Sequence, residues 1–341
     1  MTEELPKGTT RPFPPEGFAF AFANEALSYN DLAVVAMLCG EWTSFVKASS
    51  LGSHLARCRQ VDRAALRQQA ERFRRVRQLV AAEDLRNWLE ARSLSLGEWR
   101  SSMERSAALV ADNVPSVEFD TMEATHETLN VDAFCMGLWE TSSLHAVNWL
   151  AAARIATEVD HKSQSDLTSV ERFAYEIGVS ATRVEAISDW RSAFESVRKR
   201  LASDEAIERI LRMRELEWTS FDFDDLTVET KSAAYEAFLC LRDDGIEMEE
   251  IAVRSGGRLT SRSARSNELP APVATEMLTI PVGVNVMEPF ESSEGWSILK
   301  LTDRRRPVST DPDVRAAAVA ELLAETLTRE SAGHISWIGP I

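Results

Sequence analysis

The sequence predicts an α+β protein that is mostly helical, with one small antiparallel sheet. Three observations predict it. Apolar residues recur at helical spacing through most of residues 28–214. Period-two alternation is confined to short runs, at Phe18–Phe22 and between residues 215 and 307. A last amphipathic helix, Asp311 to Arg329, is followed by a short apolar run, His334 to Ile338.

Phe18 to Phe22 reads as a strand, and Asn24 and Glu25 as a turn. Ser28, with Asp31 three residues on, reads as the cap of a helix reaching about Phe45. Further helices are expected from Asp62 to Ala91 and from Ser95 to about Asp112. Asn113 to Phe119, with Pro115, reads as a linker. Residues 120–214 are again helical, beginning with Met122 to Leu129. In the next stretch Trp218, Phe221 and Phe223 alternate as a strand, and Thr227 starts a helix with Ala233, Ala234, Ala237, Phe238 and Leu241 on one face. A second helix spans Glu247 to Val253. The arginine-rich stretch Arg254 to Asn267 reads as a mobile loop, and Pro272 starts a third helix. Val284 to Pro289 and Trp296 to Leu301 read as closing strands. The expected domains are a flexible 1–17, a helical domain 18–214 completed by 308–341, and a small domain 215–307. Strand Phe18–Phe22 has no early partner in this reading and is expected to pair with Ile335–Ile338, because an unpaired apolar edge is a liability.

Composition excludes several classes. A formal charge of −16, from 54 acidic and 38 basic residues, opposes general nucleic-acid binding. Arg57, Arg59, Arg63, Arg67, Arg72, Arg74, Arg75 and Arg77 crowd one helix, which reads as a solvated face. No long uncharged apolar run suggests a membrane span. The start, rich in proline and polar residues, carries no legible export signal, and the four scattered cysteines suit a reducing compartment, so the expected location is the cytoplasm. Trp42, Trp88 and Trp99 read as core anchors. His145 reads as a satisfied core histidine. His126 and His161, with Glu123, Glu127, Glu158 and Asp160, match no compact metal motif, so neither metal nor cofactor is expected.

Strand, three helices, two strands is the order of the parvulin-type peptidyl-prolyl isomerase domain of SurA and PpiC foldases, and residues 215–307 resemble it. Gly295-Trp296-Ser297-Ile298-Leu299-Lys300-Leu301 resembles the family's last strand. Leu278, Gly283 and Pro289 are placed like its preceding helix end and strand, and Gly245, Met248 and Ile251-Ala252 like an earlier segment. The opening strand, turn and helix resemble the SurA-type chaperone domain, as does Trp88 to Trp99. In that family a last helix and strand return to the first domain.

The resemblance implies a pair of histidines, one on the first strand and one on the last. No histidine lies between His161 and His334. The last-strand position falls on Ser297, the first-strand position on or near Ser220, and a proline-facing helix position on Val273. The implied fold is a SurA-like helical chaperone domain plus a parvulin-like domain with a four-stranded antiparallel sheet. The implied function is a chaperone that holds an unfolded or precursor peptide, with a degenerate isomerase centre. The alternatives are an active peptidyl-prolyl isomerase and a helical scaffold docking onto a peptide-modifying enzyme. The expected peptide groove comprises Trp218, Leu269, Val273, Met277, Trp296 and Ile298. Arg258, Arg262 and Arg265 stand over it to meet carboxylates.

Overall fold

The computed structural model describes residues 14–58, 61–110, 124–156, 167–283 and 286–340. The linker read at 113–119, the helix start at Met122, and Glu123, Glu158, Asp160, His161, Arg59 and Val284 lie outside them. The chain divides into two compact units, residues 1–198 with 325–341, and residues 199–324.

In the first unit, strand β1 (Phe18–Phe22) pairs antiparallel with β7 (Ile335–Trp337), Phe20 opposite Trp337, so the first and last strands meet as the sequence reading expects. That reading left β1 without an early partner. Instead β2 (Glu25–Ser28) pairs with its other side, and the sheet order is β2-β1-β7. Ala23 makes so tight a reversal possible by adopting a φ of 51°. Ser28 caps helix α1 (Tyr29–Cys39): its hydroxyl accepts from the Asp31 amide, and the Asp31 carboxylate accepts from the Ser28 amide. Gly40, left-handed at φ 76°, ends α1 before Phe45, and α2 (Glu41–Cys58) follows at a sharp bend. Helices α3 (Arg63–Val76), α4 (Ala82–Ala91), α5 (Leu96–Val110), α6 (His126–Cys135), α7 (Leu138–Ile155), α8 (Thr168–Glu176) and α9 (Ala181–Leu201) complete the bundle. No single helix among the described residues is long and apolar enough to cross a membrane.

The tryptophans pack as expected, though half-buried rather than sealed. Trp42 stacks on Phe173 with centroids 4.6 Å apart, and Phe73 meets Trp88 at 5.1 Å and Trp99 at 5.8 Å. The arginine-rich helix α3 is put to local use. Arg77 lies 4.4 Å over the Phe73 ring and pairs with Glu140 at 2.9 Å. Arg74 donates to the Leu79 and Val80 carbonyls beyond the helix end.

The bundle also holds a buried charge that sequence reading missed. Asp132 on α6 is fully buried. It accepts from Ser49 of α2 at 2.6 Å, from Ser102 of α5 at 2.6 Å, and from both Nε and Nη2 of Arg105. Three helices are thereby fixed to one carboxylate. Gly52 of α2 makes room, since a Cβ there would stand 3.0 Å from the Arg105 carbonyl oxygen.

The second unit begins with α10 (Asp204–Met213) and the short α11 (Glu215–Trp218). Their Ile207, Ile210, Leu211 and Trp218 pack with Val314, Ala318 and Leu322 of α15 (Pro312–Ser331). A four-stranded antiparallel sheet follows, in order β4-β3-β6-β5, formed by β3 (Ser220–Val228), β4 (Arg258–Arg265), β5 (Phe290–Ser292) and β6 (Gly295–Arg305). Helices α12 (Lys231–Arg242), α13 (Met248–Ser255) and α14 (Ala271–Thr279) connect them.

Three readings are corrected here. Strand β3 continues to Val228, so Thr230, not Thr227, caps α12. Residues 258–265 form an edge strand rather than a loop. Arg258, Leu259 and Thr260 pair with Thr227, Leu226 and Asp225, and this ladder supplies hydrogen bonds that a run of serines and arginines does not advertise. The strand read at Val284–Pro289 is only an isolated bridge, Val286 to Lys300, and the pairing strand is Phe290–Ser292.

Each sheet face has its own core. Leu226, Val228 and Ile298 pack against Ala234, Ala237, Phe238 and Leu241 of α12 and Met248 and Ile251 of α13. Phe221, Phe223, Leu299 and Leu301 pack against Val273 and Met277 of α14. Each large side chain among them, the alanines apart, contributes about 1.5–3 kcal/mol.

Candidate functional site

Strand alternation decides what meets what. Residues 221, 223, 225 and 227 of β3 share one face, and residues 297, 299 and 301 of β6 share it with them. Near α14 that face is apolar. Toward the other end it turns polar: Thr227 stands opposite Ser297, and Asp225 opposite Leu299. Asp225, Thr227 and Ser297 are all buried, at 5 %, 8 % and 3 % exposure.

A polar row on an apolar face needs partners. Thr227 Oγ1 donates to Asp225 Oδ1 at a long 3.4 Å, and Ser297 Oγ donates to Ser292 Oγ at 3.2 Å. Arg262, half-exposed on the edge strand, stands 3.6 Å from Asp225 Oδ2. Arg258, opposite Thr227, pairs with Glu294 in the turn between β5 and β6. These two residues rim a recess of about 580 Å³ that Thr227, Thr230 and Gly256 help to line. Gly295 holds the turn against β3: its φ is 135°, and a Cβ there would lie 2.6 Å from the Val228 carbonyl oxygen. The glycine that opens the family-like run on β6 thus has a steric reason to be glycine.

The structure separates residues that the sequence reading put together. Ser220 pairs with Arg305 and Ser297 with Thr227, so the two serines lie at opposite ends of the sheet, about 23 Å apart along a strand of seven steps. The first-strand partner of Ser297 is Thr227. The groove is divided as well. Val273, Met277 and the partly buried Leu269 belong to the α14 face, whereas Ile298 and the partly buried Trp296 belong to the α12–α13 face. One strand cannot point adjacent residues to the same side. Trp218 is buried among α10 and α15, away from both faces. Lys231 lies 5.3 Å over the Trp296 ring.

Two of the three arginines expected to await carboxylates already have one. Arg258 meets Glu294, Arg262 meets Asp225, and the neighbouring Arg254 meets Glu250. At Arg265 it is the backbone N–H, not the guanidinium, that donates to Glu268, at 2.8 Å. The acids come from neighbouring segments, which a scan of residues 254–267 does not see. Asp225 is the member of this site that sequence reading missed. Its signal was available: a carboxylate in phase with Phe221 and Phe223.

His145 departs from the expected core histidine. It is about one-third exposed, and its Nε2 lies 3.0 Å from Glu41 Oε1. Among the described residues no cluster of three histidine, cysteine or acidic side chains could hold a metal.

No family model and no curated protein matches the sequence. Comparison with solved structures finds partial likenesses at low TM-scores. A peptidylprolyl isomerase, PrsA, from Bacillus cereus is 14 % identical, with 65 % of this chain and 90 % of that one covered at a TM-score of 0.33. The foldase protein PrsA of Streptococcus pneumoniae is 16 % identical over 56 % of this chain and 82 % of its own, at 0.28. One of the SurA-like chaperones of Campylobacter jejuni is 10 % identical over 60 % and 87 %, at 0.20.

Proposed function

We propose that the protein is a foldase-type chaperone of the cytoplasm. It holds an extended segment of an unfolded or precursor polypeptide, with little or no prolyl isomerisation. The observation that carries this reading is the polar row Asp225–Thr227–Ser297 on the α14 face of the sheet. In a parvulin-like sheet, Ser297 takes the last-strand histidine position, and its register partner is a threonine. Hydroxyl groups donate to and accept from a peptide backbone. They offer no imidazole to a twisting amide.

A second reading, an active isomerase, is favoured by the buried Asp225 carboxylate beside the Thr227 hydroxyl, which keeps part of a hydrogen-bond network in place. A scaffold that docks onto a peptide-modifying enzyme is the third.

Two measurements separate them. The protein should suppress aggregation of a permanently unfolded, carboxymethylated client and accelerate cis/trans exchange of an Ala-Pro peptide little. A parvulin-like rate that is lost in Ser297→Ala or Asp225→Asn would establish the isomerase instead. Absence of client binding, with folding intact, would leave the scaffold.

A further inference from the structure

Among the described residues the two sheets end on β2, β7, β4 and β5. Three of these edges are short: β2 has four residues, and β5 and β7 have three each. Strand β4 has eight. A short edge offers few backbone groups to a further strand, and a long one offers many.

The phase of the ladder fixes which groups β4 leaves free. One step beyond the pair Ser220–Arg265, the Ser266 amide donates to the Thr219 carbonyl at 2.9 Å. Pairs bonded in this way alternate along an antiparallel ladder. Arg258, Thr260, Arg262 and Ala264 therefore turn their N–H and C=O groups to β3, and Leu259, Ser261, Ser263 and Arg265 turn theirs outward. At the two ends local acceptors answer the outward donors: the Arg265 N–H goes to Glu268, and the Gly257 N–H to the Ser255 hydroxyl. In the middle, the N–H groups of Leu259, Ser261 and Ser263 have no protein acceptor among the described residues. Ser261 and Ser263 are exposed, as is Arg262 between them. Such a row is a template for one more strand.

Charge decides which strand. Residues 258–265 hold three arginines and no carboxylate. A second copy of β4 on this edge would add like charge to like charge, which opposes self-pairing. The Arg265 guanidinium pairs with no carboxylate among the described residues. Arg258 is 58 % exposed, and Arg262, 48 % exposed, stands 3.6 Å from its acid, so both exchange partners at little cost.

We propose that the free edge of β4 takes an extended acidic polypeptide segment as a fifth strand. Its backbone bonds to Leu259, Ser261 and Ser263, and its carboxylates lie beside Arg258, Arg262 and Arg265. This rests on the peptide-holding reading and adds to it the surface and the client chemistry. Backbone bonding supplies the affinity, and the arginines supply the preference.

Fluorescence anisotropy with the full chain and labelled acetyl-Thr-Glu-Val-Glu-Val-Glu-Val-Thr-amide tests it. The peptide should bind saturably, about tenfold or more tighter than its counterpart with lysine for glutamate. A counterpart N-methylated on its two central residues lacks a donor whichever side it turns to β4. It should bind about tenfold or more weaker, and it carries the test without altering the protein. Ser261→Pro removes one outward N–H while Thr260 and Arg262 keep their bonds to β3, and proline is tolerated on an edge strand where the N–H faces solvent. This variant should lose about tenfold in affinity and keep its far-UV circular dichroism. Ser261→Ala, which loses only the hydroxyl that donates to Asp224, should bind as the unaltered protein does.

The proposal is overturned if the acidic peptide does not bind, if the lysine peptide binds as well, or if neither N-methylation nor Ser261→Pro lowers affinity. Dimers in sedimentation that Ser261→Pro dissolves would give the edge to a second copy and overturn it too. Aggregation of the carboxymethylated client separates these outcomes from failure of the holding function. Suppression that persists alongside any of them overturns the edge alone, and no suppression by the unaltered protein overturns the holding function.

Discussion

Asp132 in the helical unit and Asp225 in the sheet unit are both buried carboxylates facing an arginine, and they differ in how completely they are held. Asp132 is wholly enclosed. It takes two serine hydroxyls and a two-pronged arginine whose side chain is itself 12 % exposed. Asp225 has one long hydroxyl contact and an arginine at 3.6 Å that is 48 % exposed. A buried charge with every lone pair answered fixes the packing around it. One answered loosely keeps capacity for another donor, and a peptide backbone supplies such donors. The first aspartate is therefore architecture, and the second belongs to the candidate site.

The comparison breaks most visibly at Asp132. Asp132→Ala should destabilise the helical unit by about 3–5 kcal/mol, because it strands the Arg105 charge in a dry interior. Urea unfolding followed by far-UV circular dichroism measures this. A loss below about 1 kcal/mol would show that Asp132 is no anchor.

Gly52→Ala sharpens the same point sterically. The new methyl meets the Arg105 backbone at 3.0 Å and Cβ at 3.2 Å, so α2 and α5 must part. The expected cost is about 1–3 kcal/mol. Combined with Asp132→Ala it should be less than additive, since both changes loosen one interface. Full additivity would separate the glycine from the network.

Asp225→Asn should cost only about 1 kcal/mol or less, because its arginine is half in water and the amide retains an acceptor. Its effect should fall on client binding, measured by the loss of aggregation suppression. A stability loss like that of Asp132→Ala, with client binding intact, would make the two aspartates equivalent and remove Asp225 from the site.

The smallest effect belongs to Arg258→Ser. The Arg258–Glu294 pair is more than half exposed on both sides. Such pairs contribute about 0–1 kcal/mol, and salt screens them. Melting should hardly move. If an acidic client binds through Arg258 in competition with Glu294, its affinity should fall in Arg258→Ser and rise in Glu294→Gln. Equal binding by all three proteins would make the pair a surface contact only.

The sequence by itself determined the elements whose signal is local. The Ser28–Asp31 capping box, the amphipathic faces of α12 and α15, the proline at the start of α14 and the strand run Gly295–Leu301 each carry their reason within a few residues. The pairing of the first and last strands was also legible, because an apolar strand needs a partner, although the early partner β2 on the other side of β1 went unread.

Only the tertiary structure decided the rest. Edge strand β4 reads as an arginine–serine loop until β3 supplies its hydrogen bonds. The partner of Ser297 is fixed by register, and β3 had to be followed to Val228 before Thr227 rather than Ser220 could stand opposite it. The neutralisation of Arg258 and Arg262 came from Glu294 and Asp225, residues 36 and 37 positions away in the chain. Asp132, Ser49, Ser102 and Arg105 sit on three helices with nothing in their spacing to connect them. A charge pair or a strand partner distant in sequence is a property of the folded chain, and the local periodicity that marks a helix or a strand carries no record of it.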